Sequence, residues 1–230
     1  MKTLGILGGM SPASTTIYYQ VINDTVNHAK GANTTAPVIV YSVDFQKIVD
    51  CQRLGDWQTA GEILADMAVK LQSIGADGIL LATNTMHKVA PAIVQAINVP
   101  FLSIIDATAH AICAKGLDKV ALLGTALVME QDFYKEGVAS FGIDGRVASD
   151  SERADIHRII FDELCVGVIK DSSKQTYLNI INRLKEQGAK GVILGCTEIG
   201  LLIGQDDLDL PVFDTAYLHA QMAVEFILKD

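Results

Sequence analysis

One stretch of the chain is written twice: LQSIGADGILLAT at residues 71–83 returns as LKEQGAKGVILGC at residues 184–196, an offset of 113 positions. Weaker matches flank this pair, since residues 4–8 resemble residues 120–124 and residues 105–107 resemble residues 213–215. Self-similarity at a fixed period is typical of a duplicated structural unit. The sequence therefore predicts two copies of one fold, in which Thr83 and Cys196 occupy equivalent positions.

Each copy alternates short apolar runs with longer amphipathic stretches. The predicted strands are residues 3–7, 38–43, 78–81, 120–123 and 191–194, and the predicted helices are residues 14–30, 57–74, 150–165, 172–187 and 215–229. This alternation indicates parallel sheets covered by helices, and continuous apolar runs fit strands buried on both faces. We therefore predict two similar, pseudo-symmetric α/β domains, residues 1–108 and 109–214, with the active site in the cleft between them. A C-terminal helix, residues 215–230, could pack back on the first domain.

Composition and charge exclude several classes of function. Half of the 230 residues are hydrophobic and a fifth are charged, which is typical of a globular protein, and no apolar run approaches the roughly 18 residues of a membrane span. A net charge of -9 argues against nucleic acid as a partner. The four cysteines form no C-x-x-C pair, so we expect neither a metal site nor a disulfide. Residues 1–9 lack a signal sequence, which indicates the cytoplasm.

Candidate ligand-binding residues follow the predicted strands. In parallel α/β sheets the ligand usually binds where the strands end. The residues at these ends are Met10 and Ser11, then Thr83, Asn84 and Thr85, then Thr125, and finally Cys196, Thr197 and Glu198. A pseudo-twofold arrangement of the copies would put Thr83 and Cys196 on opposite sides of one cleft, although tandem repeats also pack side by side.

Two facing proton-transfer groups suit the inversion of a stereocentre. Removing a proton from one face of an α-carbon and returning one to the other face needs an acid–base group on each side. A helix N-terminus lowers the pKa of a thiol below its ordinary value of about 8.5, so Cys196 is the predicted base. Asn84, Thr85 and Thr197 could donate hydrogen bonds to the charge that develops on the substrate carboxylate.

No cofactor is expected. The glycines at residues 5, 8 and 9 lack the G-x-G-x-x-G spacing of a dinucleotide site, and no lysine stands in an obvious pyridoxal-phosphate setting. The sequence therefore favours chemistry performed by side chains alone.

Five motifs together give the chain a family resemblance. They are Gly8-Gly9-Met10-Ser11-Pro12, Val43-Asp44-Phe45, Thr83-Asn84-Thr85-Met86-His87, Gly195-Cys196-Thr197-Glu198 and Pro211-Val212-Phe213-Asp214-Thr215. With them the chain resembles the aspartate/glutamate racemase family. The resemblance implies a cofactor-independent racemase of aspartate and/or glutamate, a small acidic substrate and a homodimer, and it extends over essentially the whole chain.

Two positions depart from the family pattern. The usual aspartate racemase has Cys where this chain has Thr83, so the chain is closest to the subgroup that prefers the L-form and pairs Thr with Cys. The substrate-binding Lys expected after Glu163-Leu164 is replaced by Cys165. The side-chain carboxylate of the substrate must then be bound elsewhere, and Gln52, Arg53 and Lys88 are the candidates.

Each candidate residue also has a structural explanation. Cys196 can be a small buried hydrophobe, Thr83 a β-branched strand residue, and Gly8-Gly9 a tight turn. His87 and His219 could orient a thiol, bind substrate or serve only the fold, whereas Asp106 and Asp214 could cap helices. The remaining cysteines, Cys51, Cys113 and Cys165, are expected to be core thiols.

Two other functions stay open. One is a ligand-binding protein that lost turnover when its second thiol became Thr83. The other is a related isomerase or decarboxylase that needs one thiol.

Overall fold

The computed structural model describes residues 1–229, which form two compact units. The first unit contains Met1–Ile104 together with the segment from His219 onward, and the second contains Ile105–Leu218. Each unit has its own four-stranded sheet and its own hydrophobic core. None of the helices in the described part of the chain is both long enough and apolar enough to cross a membrane.

The first unit is built on a parallel sheet with the strand order β2-β1-β3-β4. Its strands are β1 (Leu4–Gly8), β2 (Val38–Ser42), β3 (Gly78–Leu81) and β4 (Phe101–Leu102). Its helices are α1 (Pro12–Lys30), α2 (Phe45–Leu54), α3 (Trp57–Ser73) and α4 (Ala90–Ala96), and α5 (Ile104–Ala114) begins at its last residue. The central strands β1 and β3 are completely buried, as their continuous apolar sequences predict.

Helices α1, α2 and α3 begin at side-chain caps. The Ser11 hydroxyl accepts a hydrogen bond from the Ser14 N–H, and Pro12 takes the first helical position. The Asp44 and Asp56 carboxylates accept bonds from the N–H groups of residues 46 and 59 in the same way. In α3 the side chains of Leu64, Ala68 and Leu71 are fully buried. Burial of each leucine contributes about 1.5–3 kcal/mol to stability.

The second unit repeats the topology of the first. Its strands are β5 (Lys119–Gly124), β6 (Asp144–Arg146), β7 (Val192–Gly195) and β8 (Val212–Asp214), in the parallel order β6-β5-β7-β8. Its helices are α6 (Ala126–Glu130), α7 (Asp132–Ala139), α8 (Asp150–Asp162) and α9 (Asp171–Glu186), and α10 (Thr215–Leu228) begins within it. The predicted fold class, two similar α/β units with parallel sheets and flanking helices, is confirmed.

One predicted helix boundary is wrong. The helix predicted over residues 150–165 ends at Asp162, because Glu163 leaves the helical region with φ −125°. A short 3₁₀ helix, Leu164–Val166, follows and stops at Gly167, whose φ of +77° favours glycine. This break places Cys165 on a 3₁₀ helix and not on the side of α8.

Candidate active site

Thr83 and Cys196 lie at the carboxyl ends of the equivalent strands in the two units. Thr83 stands two residues beyond β3, and Cys196 directly follows β7. Each precedes a 3₁₀ helix, Thr85–Val89 in the first unit and Thr197–Leu201 in the second. Both residues are partly exposed. Within each unit, therefore, the candidate proton-transfer residue occupies the sheet edge where such folds place their chemistry.

The Cys196 thiol is hydrogen-bonded to a carboxylate. Its Sγ donates to Oε2 of Glu198 over 3.0 Å, and the Thr197 hydroxyl donates to the same oxygen over 2.7 Å. The contacts thus tie Thr197 and Glu198, which the sequence predicts as substrate-binding residues, to the thiol. A carboxylate at hydrogen-bonding distance from a thiol can accept its proton.

The expected lowering of the Cys196 pKa is wrong. Although Cys196 is partly exposed as a residue, it packs against the core of its unit, and the resulting desolvation of the thiol raises its pKa well above the ordinary value. The negative charge of Glu198 raises the pKa further. The sequence prediction relied on a helix N-terminus, but the following element is a 3₁₀ helix of five residues with a carboxylate in its first turn. At neutral pH Cys196 is therefore a thiol whose proton points at Glu198. The Cys-x-Glu spacing after a strand was the only sequence signal for this pairing.

Two of the three cysteines expected in the core are exposed. Cys51 is buried in the first unit, as expected, whereas Cys113 and Cys165 are on the surface. Desolvation and the nearby Glu198 charge raise the pKa of Cys165 to about 11. The electrostatic influence of Glu198 reaches both Cys165 and Cys196, so these two thiols and the carboxylate share one region of the second unit.

Glu163 is a buried carboxylate that joins α8 to α9. It accepts hydrogen bonds from the Ser173 hydroxyl at 2.5 Å and from Arg158 at 2.9 Å, and the Lys170 ammonium lies 3.4 Å away. The bond from Ser173 is the main reason that its pKa is lowered, and the two cations add to the effect. These contacts give the acidic residue of the Glu163-Leu164 motif a structural role.

The main chain of Thr83 is held on both sides. Its N–H donates to the Leu81 carbonyl over 2.8 Å, and its own carbonyl lies 2.7 Å from Nδ1 of His87. Within its own unit the described residues offer the Thr83 hydroxyl no hydrogen bond. Asn84 is buried and Thr85 is partly exposed beside it. The main chain of Thr83 is therefore held in place, while its hydroxyl makes no hydrogen bond to the described residues of its own unit.

His87 and His219 serve the fold of the first unit. Both are buried, and burial lowers the pKa of His87 to about 4 and that of His219 to about 3. Nε2 of His87 accepts from the Ile104 N–H, while the two nitrogens of His219 contact Tyr18 and the Leu102 carbonyl. Because each ring uses both nitrogens within the protein, neither histidine is available as an acid, a base or a ligand for substrate.

The segment after β1 has a structural explanation. Gly9 has φ +90°, and a Cβ atom there would lie 2.6 Å from the Val43 carbonyl oxygen, so only glycine fits. Met10 is buried in the core of the first unit, and Ser11 caps α1. The tight-turn interpretation of the glycines accounts for this segment.

Two of the three candidates for binding the substrate side chain contact other side chains of the protein. The Gln52 amide lies 3.0 Å from Sδ of Met86, and the Lys88 ammonium lies 4.2 Å from the centre of the Trp57 ring. Arg53 is exposed. Thr125 directly follows β5, and its carbonyl accepts a hydrogen bond from the Val128 N–H.

Of the two predicted caps, the one at Asp214 is confirmed. The Asp214 carboxylate accepts from the Tyr217 N–H at the start of α10. Asp106 lies inside the first turn of α5, since the helix begins at Ile104.

Comparisons with known proteins agree on one family. A sequence profile described as Asp/Glu/Hydantoin racemase matches residues 7–223. The broad specificity amino-acid racemase RacX of Bacillus subtilis (strain 168) is 25% identical over 231 residues, covering 98% of each chain. A crystal structure from Yersinia pestis, assigned as an Asp/Glu racemase, has a TM-score of 0.96 at 45% identity and covers 100% of both chains. An aspartate racemase homologue from Pyrococcus horikoshii OT3 has a TM-score of 0.87 at 37% identity, with 99% of each chain covered. The chain belongs to the Asp/Glu/Hydantoin racemase family.

Proposed function

We propose that this chain is a racemase of aspartate and/or glutamate that prefers the L-form and needs no cofactor. The observation that carries the proposal is the hydrogen bond between Cys196 and Glu198 at the end of β7, since it couples a thiol to a proton acceptor. Thr83 stands at the equivalent end of β3 in the first unit. The proposal requires both side chains to reach one substrate, on opposite faces of its α-carbon.

Proton transfer on the Cys196 side begins at Glu198. The carboxylate takes the thiol proton, and the resulting thiolate removes the α-proton of the substrate and becomes a thiol again. The carbanion places its electron pair on the substrate carboxylate, where hydrogen-bond donors stabilise the added charge. Asn84, Thr85 and Thr125 are the proposed donors, since Thr197 is bound to Glu198.

Thr83 supplies the proton on the other face. Its hydroxyl protonates the carbanion with inversion, and the alkoxide left behind regains a proton, through solvent, from the protonated Glu198. All groups then return to their starting states. In the reverse reaction Thr83 must first lose its proton to become an alkoxide, which is unfavourable. Thr83 therefore removes a proton from the substrate far more slowly than Cys196 does.

The test is hydrogen exchange in deuterium oxide. L- and D-aspartate and L- and D-glutamate are incubated with the protein, and chiral chromatography with mass spectrometry follows deuterium at the α-carbon and the opposite enantiomer. We expect exchange and inversion with aspartate, glutamate or both, and the same result after hydroxylamine treatment that would remove pyridoxal phosphate. Absence of exchange with all four compounds would favour the ligand-binding alternative.

Substitution of the thiol tests the assignment of the base. We expect Cys196→Ser to lower racemisation by about 10²-fold or more, because a hydroxyl replaces the thiol that is hydrogen-bonded to Glu198. Cys113→Ser is the matched control, since Cys113 is an exposed thiol in the same unit. Full activity of Cys196→Ser would assign the base elsewhere.

A further inference from the structure

The His87 side chain joins the main chain after β3 to the start of α5. Nδ1 lies 2.7 Å from the Thr83 carbonyl oxygen, and Nε2 accepts the Ile104 N–H over 3.0 Å. A peptide N–H can only donate, so Nε2 carries no proton and Nδ1–H is the donor to Thr83. The contacts therefore fix the imidazole in one neutral tautomer.

This bridge stands where the sheet has ended. Strands β3 and β4 pair only through Ile79 with Phe101 and through Leu80 with Leu102. Beyond these pairs the chain continues to Thr83 on one side and to Ile104 on the other, and the imidazole spans the gap between them. On the β1 side the Ala82 N–H still donates to the Leu7 carbonyl over 2.9 Å. On the β4 side the Thr83 carbonyl is held by a side chain and not by a strand neighbour.

A second buried histidine supports the first. The rings of His87 and His219 lie with their centres 5.9 Å apart and nearly perpendicular. His219 donates from Nε2 to the Leu102 carbonyl and accepts at Nδ1 from the Tyr18 hydroxyl, each over 2.9 Å. Tyr18 is itself fully buried. This packing leaves the His87 ring no freedom to turn away from Thr83.

We propose that His87 is a positioning residue for proton transfer by Thr83. Its Nδ1–H bond to the Thr83 carbonyl holds the backbone from which the hydroxyl projects, and so sets the distance between that hydroxyl and the α-carbon. A misplacement of about 1 Å in such a group lowers the rate by about 10²-fold. The inference rests on the proposed function, because it concerns one of its two proton-transfer groups.

Two substitutions separate the two bonds of the imidazole. In His87→Asn the amide nitrogen occupies the place of Nδ1 and can still donate to Thr83, but the side chain does not reach Ile104. In His87→Gln the longer side chain reaches the place of Nε2 and can accept from Ile104, without a donor at the place of Nδ1. The positioning role predicts that the Asn variant loses far less turnover than the Gln variant.

The expected effect is specific to the face of Thr83. In His87→Gln, kcat for racemisation falls by about 10²-fold and KM is unchanged within about twofold. Exchange with deuterium oxide continues, without inversion, in the enantiomer whose α-hydrogen faces Cys196. In His87→Asn, which keeps the bond to Thr83, kcat stays within about tenfold of that of the native protein.

Tyr18→Phe is the matched control. It removes a hydrogen bond of the same buried group and leaves both contacts of His87 intact. We expect a lower Tm and native kcat below that temperature. Loss of kcat in Tyr18→Phe would show that turnover follows the stability of the whole group.

The outcomes separate this inference from the proposed function. If the native protein neither exchanges nor inverts any substrate, the proposed function fails. If the native protein is active but His87→Gln lowers exchange and inversion equally, or His87→Asn is no better, His87 has only a structural role. Circular dichroism is recorded for each variant. If neither His87 variant folds, the conclusion is again that His87 has only a structural role.

Discussion

Two effects act on the proton of Cys196 in opposite senses. Glu198 raises the pKa of the thiol, which disfavours the thiolate at rest, and yet Glu198 is also the proposed acceptor of the thiol proton during turnover. A resting thiol avoids oxidation and alkylation, since the thiolate is the reactive form. At rest Cys196 is thus a protonated thiol, which these side reactions attack only slowly.

Replacement of Glu198 should therefore separate reactivity from catalysis. In Glu198→Gln the negative charge is lost and the pKa of Cys196 falls, so alkylation by iodoacetamide at pH 8 becomes faster. Racemisation should nevertheless fall by about 10²-fold, because the proton acceptor is gone. Alkylation is measured at Cys196 by peptide mass spectrometry, which distinguishes it from the exposed Cys113 and Cys165.

Glu130→Gln serves as the control, since this carboxylate of the same unit is half exposed. In Glu130→Gln neither the rate of Cys196 alkylation nor the rate of racemisation should change. A slower alkylation of Cys196 in Glu198→Gln would contradict the cause given for the raised pKa.

At the scale of single residues, sequence could locate candidates but not their ionisation. The duplication put Thr83 and Cys196 at equivalent positions because the repeat ends at both. The pKa of Cys196 depends on where the Glu198 side chain turns and on how much water surrounds the sulfur, and no sequence pattern states either. The exposure of Cys165 likewise depends on the turn that ends α8.

At the scale of elements, the two buried histidines tie the ends of β3 and β4 to α1, α5 and α10. Both have pKa values in the folded protein, about 4 and about 3, below the ordinary 6.5. Above pH 6.5 they are neutral in both states and the contacts stabilise the fold fully. As the pH falls below 6.5, these two histidines become protonated in the unfolded chain but not in the folded protein. The free energy of unfolding therefore decreases as the pH is lowered.

Acid should therefore destabilise the protein before its carboxylates titrate. We expect the free energy of unfolding to fall by about 2 kcal/mol per histidine between pH 7 and pH 5, since each pH unit of unequal protonation is worth about 1.4 kcal/mol. Urea unfolding at each pH measures the change. His87→Asn should flatten the slope, whereas substitution of the exposed His28 should not. A slope that is the same in all three proteins would contradict a neutral, buried His87.

Sequence predicted the central strands better than the edge strands. Strands β1, β3, β5 and β7 are buried apolar runs, and their predicted bounds differ from the observed ones by at most one residue at either end. The edge strand β6 reads Asp144-Gly-Arg146 and pairs with β5 through its main chain, so no side-chain pattern marks it. Helix α2 was not predicted, because only Ile48 and Cys51 of its ten residues are buried.

At the scale of the whole molecule, sequence predicted the duplication and raised the possibility that the C-terminal helix packs back on the first domain, but it did not give the residues at which the chain passes between the units. The two sheets have the same strand order, as two copies of one unit require. The segment from His219 onward nevertheless belongs to the first unit, where the Lys2 N–H donates to the Ile227 carbonyl over 2.9 Å. A repeat in sequence shows which elements correspond and leaves open which unit a terminal helix joins.

The duplication also predicts what a second thiol would do. In Thr83→Cys both equivalent strand ends carry a thiol, so deuterium exchange from the Thr83 face should rise by roughly tenfold or more and approach that from the Cys196 face. The two enantiomers have equal free energies, and kcat/KM must therefore be equal in both directions. The weak base at Thr83 limits kcat/KM in both directions, so its replacement by a thiol should raise the two values together. The ratio of deuterium exchange in the two enantiomers should change as well. Thr16→Cys, which adds a thiol at an exposed position of α1, should change neither quantity. Unchanged exchange in Thr83→Cys would mean that residue 83 does not face the α-carbon.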